Sequence, residues 1–234
     1  MKNKALQIAA ALEAVYPEAL CSLEYNGEPW RLMVMARLSA QCTDEKVNRV
    51  CEVLFQRFPT YQALADAPVE EVEEIIRSCG LFRNKSREII AECQILRDEY
   101  DGRVPDTMEE LLRFPGVGRK VANLLLGDLY GVPAIVVDTH CTRLTGRWGL
   151  VPEGEENPVK IERILAADLA SLKGRAQSDF CHRIVLFGRE YCSADKPRCS
   201  ECPLKELCPS AGKPVSRKKQ KKSRSKSSKT TETS

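Results

Sequence analysis

Apolar residues recur at three- and four-residue spacing along most of the chain, which is the period of a helix with one buried face. The clearest case is a helix with these apolar side chains on one face: Val47, Val50, Cys51, Leu54, Phe55 and Phe58. The same period predicts further helices over residues 1–15, 30–38, 83–100, 158–172 and 177–190. We find no paired strand pattern, no heptads and no long-period repeat, so the body of the chain is predicted to be all-α.

Polar residues are distributed unevenly, because the C-terminal segment carries most of the positive charge. Residues 213–234 contain nine Lys or Arg residues and one acidic residue, a local charge of +8 within a chain of net charge +3. Residues 1–212 therefore carry a charge of −5. We expect residues 212–234 to form a disordered basic tail that attracts nucleic acid, with a solvated tail of no function as the alternative.

Eleven cysteines occur among the 234 residues, and no apolar run is long enough to cross a bilayer. The N-terminus has the pattern of an amphipathic helix rather than a signal peptide, so we expect a cytoplasmic protein with no membrane partner. Thiols stay reduced in that compartment. This favours metal or cluster ligation over disulfides.

Residues 107–129 predict a helix, a tight turn and a second helix. The turn contains Gly116 and Gly118, which lack a Cβ and let the backbone approach another surface closely. A helix that begins near Arg119 adds free N–H groups and the positive end of its dipole, which favour an anion such as a DNA phosphate. A glycine turn between helices is also common as plain structure, so the motif alone leaves both interpretations open.

Four cysteines near the C-terminus have the spacing Cys-x6-Cys-x2-Cys-x5-Cys. They are Cys192, Cys199, Cys202 and Cys208. The spacing predicts one metal site, and it suits a structural zinc ion and a 4Fe-4S cluster equally. Lys196 and Arg198 lie on the first loop and could contact phosphates if metal holds both ends of that loop. The remaining cysteines are interpreted as core residues: Cys21, Cys42, Cys51, Cys79, Cys93, Cys141 and Cys181.

Several segments together resemble one known family. FPGVGRKVAN at residues 114–123, VDTH at 137–140 and the four-cysteine spacing occur in the order found in bacterial endonuclease III, of the helix-hairpin-helix DNA glycosylase superfamily. SAQCTD around Gln41 and GLFRNK around Leu81 extend the resemblance over residues 1 to about 211. The basic tail has no counterpart in the family pattern.

The resemblance implies a discontinuous two-domain fold. A six-helix barrel would span residues 22–132 and include the helix-hairpin-helix motif, while residues 1–21 and 133–211 would form an iron–sulfur domain. DNA would lie across the cleft between the two domains. The resemblance also favours a 4Fe-4S cluster over zinc, as a structural group that holds Lys196 and Arg198 against the DNA backbone.

The resemblance further implies a bifunctional DNA glycosylase and AP lyase of base excision repair. Lys120 would attack the sugar C1′, expel the base and leave a Schiff base, after which β-elimination nicks the strand 3′ to the abasic site. Because a solvated lysine is protonated and inert, the resemblance implies a depressed pKa for Lys120. The sequence offers three causes, namely burial in a cleft, the neighbouring Arg119 charge and the positive end of its own helix. Without the resemblance, Lys120 would be interpreted as a phosphate contact or a solvated helix residue.

Asp138 is the carboxylate that the resemblance pairs with this lysine. It would stabilise the cationic sugar and assist proton movements at Lys120, although an Asp at the start of a helix is most often only an N-cap. Both roles can coexist. His140 and His182 receive no role.

Attack on the sugar requires the nucleotide to leave the duplex. Gln41 and Leu81 match the positions at which the family inserts side chains into the base stack, Gln41 to fill the gap and Leu81 as an apolar wedge. For Leu81, plain packing beside Gly80 is the alternative. The hairpin residues Gly116, Gly118 and Arg119 would bind the backbone beside the lesion.

Lys120 separates the chain from adenine glycosylases and mismatch thymine or uracil glycosylases, which lack lysine at this hairpin position. The expected substrates are therefore oxidised or ring-saturated pyrimidines and abasic sites in double-stranded DNA, processed by a monomeric enzyme. A DNA-bound redox sensor that uses the hairpin only for docking is the non-catalytic alternative. Lys120 and Asp138 together disfavour it.

Overall fold

The computed structural model describes residues 2–214 and contains helices, turns and loops but no strand within that range. The all-α prediction is therefore confirmed. Met1 and residues 215–234 lie outside the described residues, so the prediction of a disordered tail stays a prediction. In chain order the α-helices are α1 (Lys2–Val15), α2 (Pro29–Leu38), α3 (Asp44–Arg57), α4 (Tyr61–Ala65), α5 (Val69–Ile76), α6 (Phe82–Tyr100), α7 (Met108–Leu111), α8 (Arg119–Tyr130), α9 (Thr139–Arg147), α10 (Pro158–Asp168) and α11 (Ala176–Glu190). Two short 3-10 helices lie at Arg77–Cys79 and Lys205–Leu207.

Side-chain caps explain where several helices begin. The hydroxyl of Thr43 accepts a hydrogen bond from the backbone N–H of Lys46 at the start of α3, and the Asn157 side chain accepts from Val159 and Lys160 at the start of α10. Each cap satisfies N–H groups that the helix itself leaves free. The caps therefore place the helix boundaries close to the predicted ones.

The end of α10 differs from the prediction. The apolar period predicted a helix to residue 172, but α10 ends at Asp168. Leu169 is fully buried and Leu172 packs against the same core, so both leucines follow the helical period although the backbone has left the helix. Periodicity reports burial, and here burial continues past the helix end.

Two hydrophobic cores organise the described residues. The first is built from side chains between Leu23 and Leu126, on α2 to α8. The second combines Ala5, Ile8, Ala9 and Leu12 of α1 with side chains between Ile135 and Leu204. The N-terminal helix therefore packs with the C-terminal helices.

The end of α1 is attached to α11 by one buried guanidinium. Arg183 of α11 donates to the backbone carbonyls of Tyr16 and Pro17 at 3.0 and 3.2 Å. This bond joins segments more than 160 residues apart in sequence. Among the described residues, no helix is long and apolar enough to cross a membrane.

Candidate active site and nucleic-acid interface

A single cavity of about 1760 Å³ brings together much of the predicted site. Lys120 at the start of α8, Asp138 before α9 and Gln41 after α2 all line it. The four predicted metal ligands line it as well: Cys192, Cys199, Cys202 and Cys208. The remaining predicted contacts belong to the described part of the chain but lie outside this lining: Leu81, Gly116, Gly118, Arg119, Lys196 and Arg198.

The hairpin turn between α7 and α8 uses its two glycines differently. Gly116 has a φ of +76°, and a Cβ there would collide with the Arg37 side chain. Packing therefore requires glycine at this position. Gly118 has an ordinary φ of −97°, and a Cβ there would meet nothing within 4 Å. Its side faces open space, where another molecule can approach the backbone.

Thr107 fixes the start of the first hairpin helix. Its Oγ1 accepts from the backbone N–H of Glu110 at 3.3 Å and donates to the Glu110 carboxylate at 2.8 Å. Thr107 is thus the N-cap of α7, and it satisfies one N–H group that the helix itself leaves free. Gly118 is the N-cap of α8 and offers no side chain, so the first N–H groups of α8 have no side-chain cap from that residue.

Lys120 lies in the first turn of α8, and its side chain is exposed at the cavity wall. Burial in a cleft, one of the three features expected to activate this lysine, is therefore not found in the free protein. Arg119 is also less available than expected, because its Nε donates to Glu162 of α10 at 3.1 Å and its Nη2 donates to the other carboxylate oxygen. This hydrogen-bonded pair raises the pKa of Arg119. Arg119 thus bridges the hairpin helix to α10.

Asp138 is the N-cap of α9. Its Oδ1 accepts a hydrogen bond from the backbone N–H of Cys141 at 2.7 Å, which fixes the orientation of the carboxylate. The side chain is half-buried and lines the cavity, so the cap and the cavity wall are the same residue. Burial lowers the pKa of neighbouring His140, whose Nδ1 lies 3.1 Å from the Arg143 guanidinium.

Gln41 and Leu81 share an unusual backbone conformation. Gln41 has a φ of +56° and Leu81 a φ of +48°, in the left-handed region that non-glycine residues seldom adopt. Leu81 leaves 56% of its surface exposed, although it is a large apolar side chain. Each such residue costs about 1–2 kcal/mol in backbone strain. Plain packing of Leu81 is therefore a poor explanation for its position.

Lys85 of α6 holds both of these loops, and the sequence interpretation missed this role. Its side chain is fully buried, and its Nζ donates to Leu38 O, Ala40 O and Cys79 O at 2.8, 2.7 and 2.8 Å. Burial lowers the pKa of Lys85, yet three carbonyl acceptors match the three protons of an ammonium group. Lys85 shares the inward stripe of α6 with Ile89 and Cys93. A charged residue on an apolar stripe is the signal that could have revealed it.

The four cysteines near the C-terminus converge on the cavity as a donor set. Burial raises the pKa of Cys202 and Cys208, and the neighbouring cysteines raise it further. All four sulfurs belong to residues that line this one cavity, with Cys192 buried and the other three half-buried. Four thiols in such an arrangement can ligate a zinc ion or a 4Fe-4S cluster.

Two arginines of α9 hold the loop that follows Cys192, and the sequence interpretation missed these as well. Arg147 donates to Cys192 Sγ at 3.1 Å and to the carbonyls of Ser193 and Ala194 at 2.7 Å each. Arg143 donates to the Cys192 carbonyl at 3.2 Å. These bonds attach the loop after Cys192 to α9.

The two predicted DNA contacts of this loop differ in their surroundings. Lys196 is exposed. Arg198 lies over the Tyr191 ring at 5.2 Å and donates to the Glu190 carbonyl at 3.0 Å. A further ion pair joins Arg198 to Glu201 at 3.4 Å. Lys196 is therefore the more available of the two cations.

An all-helical fold with a hairpin, an exposed lysine and a carboxylate at one cavity defines a class of DNA repair protein. The sequence model of the HhH-GPD superfamily base excision DNA repair proteins matches residues 34–170, more than half of the chain, so the chain belongs to this family. Its relatives within the superfamily include endonucleases III of several bacteria. Endonuclease III of Synechocystis sp. is 46% identical over 90% of this chain and 94% of its own length.

Solved structures agree with this placement. Endonuclease III in a non-covalent complex with DNA is 38% identical and superimposes with a TM-score of 0.83 over 90% of this chain and 96% of that one. A trapped covalent intermediate of endonuclease III with DNA gives a TM-score of 0.82 over 90% and 97% of the two chains, again at 38% identity. The chain is thus a DNA glycosylase and AP lyase of base excision repair.

Proposed function

We propose that the chain excises oxidised or ring-saturated pyrimidines from double-stranded DNA and cleaves abasic sites, with Lys120 as the nucleophile. The observation that carries this proposal is the position of Lys120. It lies at the positive end of α8, is exposed at the cavity wall, and has no hydrogen-bond or ion-pair partner among the described residues. An amine without a partner in the cleft that also contains Asp138 can reach a sugar placed between them.

The reaction has two parts. The neutral Lys120 amine forms a bond to C1′, the glycosidic bond breaks, and the base leaves with the electron pair and takes up a proton from the attacking nitrogen. The C1′–O4′ bond then opens, O4′ takes up a proton, and the nitrogen lone pair forms a protonated Schiff base at C1′. This Schiff base makes the C2′ proton acidic. Loss of that proton expels the 3′ phosphate, and water then releases the lysine. Because Lys120 is exposed in the free protein, bound DNA itself would supply the low-dielectric surroundings that disfavour the charged amine.

Asp138 would act by charge and by proton transfer. Its carboxylate stabilises the cationic sugar as the base departs, and its free oxygen can exchange protons near Lys120. The N-cap bond to Cys141 keeps the carboxylate in place without neutralising it. Relatives support this chemistry, since an endonuclease III has been captured covalently attached to DNA.

The surrounding residues would position the DNA. Gln41 and Leu81 would enter the base stack. The Gly118 backbone and Arg119 would bind a phosphate beside the lesion. Gly116 would shape the turn that presents them, since a Cβ there would collide with Arg37. Arg119 would have to exchange Glu162 for that phosphate. Lys196 and Arg198 would contact the backbone from the cluster loop.

We also propose that the protein acts as a monomer of two domains, one formed by residues 22–132 and the other by residues 1–21 together with 133–211. The four cysteines of the second domain would hold a 4Fe-4S cluster. The two hydrophobic cores support the division. The similarity to endonucleases III supports a cluster over zinc. The thiolates of Cys192 and Cys199 would bond to iron of the cluster and so hold the loop that carries Lys196 at both ends.

Borohydride trapping on a duplex with thymine glycol or dihydrouracil tests the nucleophile. Lys120→Gln should abolish the trapped adduct, whereas Lys160→Gln, a surface lysine paired with Glu155, should trap like wild type. A Lys120→Gln adduct as abundant as that of wild type would refute the assignment. Tight binding without strand scission by the wild-type protein would instead favour the redox sensor.

Asp138→Asn tests the second role. The amide can still accept the Cys141 N–H bond, so the fold should survive, while single-turnover excision should fall by about 10²-fold or more. Circular dichroism and excision rates measured on one sample separate the two effects. Equal excision rates would leave Asp138 as an N-cap only.

A further inference from the structure

A second donor cluster reaches the same cavity through two of its three residues, and it shares no residue with the four-cysteine loop. It consists of Cys21 after α1, Asp128 near the end of α8 and His182 of α11. One donor atom from each residue lies within 4.8 Å of the others, and no other group of three His, Cys, Asp or Glu donors in residues 2–214 is so close. The proposed reaction uses none of these three residues.

Asp128 is the centre of this cluster. Its side chain is fully buried, and its Oδ1 accepts from Ser178 Oγ at 2.9 Å and from His182 Nε2 at 2.9 Å. Arg175 adds an ion pair at 3.3 Å. All three neighbours place a donor against the carboxyl oxygens, which is the arrangement that an ionised carboxylate requires.

The position of the cluster is as informative as its composition. Cys21 packs against the first hydrophobic core, and α8 contributes Leu125 and Leu126 to that same core. His182 lies beside Cys181 and Ile184 of the second core. Cys21 and His182 both line the cavity, so solvent and ions can reach them. The three donors thus meet at the seam between the two cores.

We propose that Cys21, Asp128 and His182 bind a divalent cation of the zinc type, which joins the two cores at the cavity wall. A thiolate, a carboxylate and an imidazole are all zinc ligands, and water from the cavity can complete a tetrahedron. Zinc bonds of about 2.0–2.3 Å place such ligands about 3.5 Å apart, so donors within 4.8 Å need only small side-chain shifts.

Binding requires a defined movement of protons. The Cys21 thiol, which hydrogen-bonds to Asp128 in the free protein, releases its proton to solvent. The His182 imidazole must be neutral with its Nε2 lone pair free, so its remaining proton sits on Nδ1. Arg175 has 39% of its side-chain surface exposed and can turn away from Asp128 toward solvent. The alternative is a hydrogen-bonded network of these same residues without any ion.

Zinc retention by the iron-loaded protein tests the proposal. After equilibration with zinc and removal of excess, wild type should retain one zinc per chain with unchanged iron content. Cys21→Ser and His182→Gln should each weaken zinc binding by at least about tenfold. Cys42→Ser and His140→Gln are matched controls, because both side chains line the same cavity but lie outside the cluster.

Two further measurements identify the ligands. X-ray absorption at the zinc edge should show a shell with one sulfur, and zinc should raise the thermal midpoint of wild type, but not of Cys21→Ser, by about 5 °C. The proposal is overturned if wild type retains no zinc, if Cys21→Ser retains as much as wild type, or if zinc enters only as iron is lost. A four-sulfur shell would equally overturn it, since the zinc would then occupy the C-terminal cysteines.

Discussion

The two sides of the cavity are held in different ways. On one side, the Gln41 loop lines the cavity, while the Leu81 loop and the hairpin turn lie outside that lining. All three rest on charged side chains of α2 and α6, of which Lys85 is buried and Arg37 and Glu88 are half-buried. Lys85 joins the first two loops, and the Arg37–Glu88 pair lies under Gly116. On the other side, the loop after Cys192 rests on Arg143 and Arg147 of α9 and on whatever its cysteines bind.

The loops on the α2/α6 side are held by hydrogen bonds within the protein, whereas the loop after Cys192 would be completed by the proposed cluster. The α2/α6 side should therefore keep its shape when the proposed cluster is removed. The cluster loop has few apolar anchors, since three of its four cysteines are only half-buried. Iron removal should therefore change the two sides unequally.

Lys85→Met removes the buried ammonium group that holds the loops on the α2/α6 side. Three carbonyls would lose their partner inside the protein, and we expect a loss of about 3–5 kcal/mol in unfolding free energy. Affinity for lesion DNA should fall by at least about tenfold, because the Gln41 and Leu81 loops are released together. Urea unfolding and fluorescence anisotropy measure the two effects.

Lys46→Met is the matched control for that variant. Lys46 is exposed and makes a single long bond of 3.5 Å to Ser78 O in the same region. We expect its unfolding free energy to change by less than about 0.5 kcal/mol. Equal stability of the Lys85 and Lys46 variants would show that the three-carbonyl contact does not hold the loops.

Arg147→Gln tests how the loop after Cys192, where the cluster is proposed, is held. The variant loses charge-assisted bonds to Ser193 O, Ala194 O and Cys192 Sγ, and we expect about 1–3 kcal/mol of destabilisation. Iron should also leave this variant faster in the presence of a chelator. Arg49→Gln, which breaks only an exposed pair with Glu45, serves as the control. Unchanged iron release would mean that the cysteines alone hold the loop.

The two hairpin glycines sharpen the comparison within one turn. Gly116→Ala places a Cβ against Arg37 at a positive φ, so we expect about 1–3 kcal/mol of destabilisation. Gly118→Ala meets nothing in the free protein and should leave stability within about 0.5 kcal/mol. If the Gly118 backbone approaches a phosphate, its alanine variant should lose DNA affinity without losing stability. Unchanged affinity would remove Gly118 from the interface.

Local patterns made much of this molecule predictable. The helices follow from apolar period and caps, as at Thr43 and Asn157, and the cysteine loop follows from spacing. Lys120 and Asp138 could be assigned to one site because each begins a helix in a recognisable segment. The structure places both residues on one cavity because the starts of α8 and α9 both reach it.

Long-range contacts were the part that the sequence could not supply. The carbonyl partners of Lys85 on α2 and the following turn lie 45 and 47 residues away, and Glu162 lies 43 residues from Arg119. Cys21 was interpreted as a core residue because nothing nearby in sequence indicates Asp128 or His182. Such pairings depend on how helices pack, which single-residue patterns do not encode.

Replacing Glu92 should have the smallest effect on stability. It tests whether the DNA-binding loops depend on Lys85 in particular or on any buried charged residue of α6. Its carboxyl group is fully buried, and neither oxygen has a hydrogen-bond partner among the described residues. Burial raises its pKa well above the ordinary value, with Arg37 opposing and Glu88 reinforcing the shift. A carboxyl with a raised folded-state pKa stabilises the fold most below its unfolded-state pKa, and stability falls as pH rises toward the folded-state value, by up to about 1.4 kcal/mol per pH unit.

Glu92→Met should therefore be more stable than wild type at pH 8 by about 1–2 kcal/mol, with the difference shrinking toward pH 5, and should bind DNA normally. Urea unfolding at both pH values measures this, with exposed Glu109→Met as the control. A loss of DNA affinity in Glu92→Met would show that the loops depend on the packing of α6 as a whole and not on Lys85 alone.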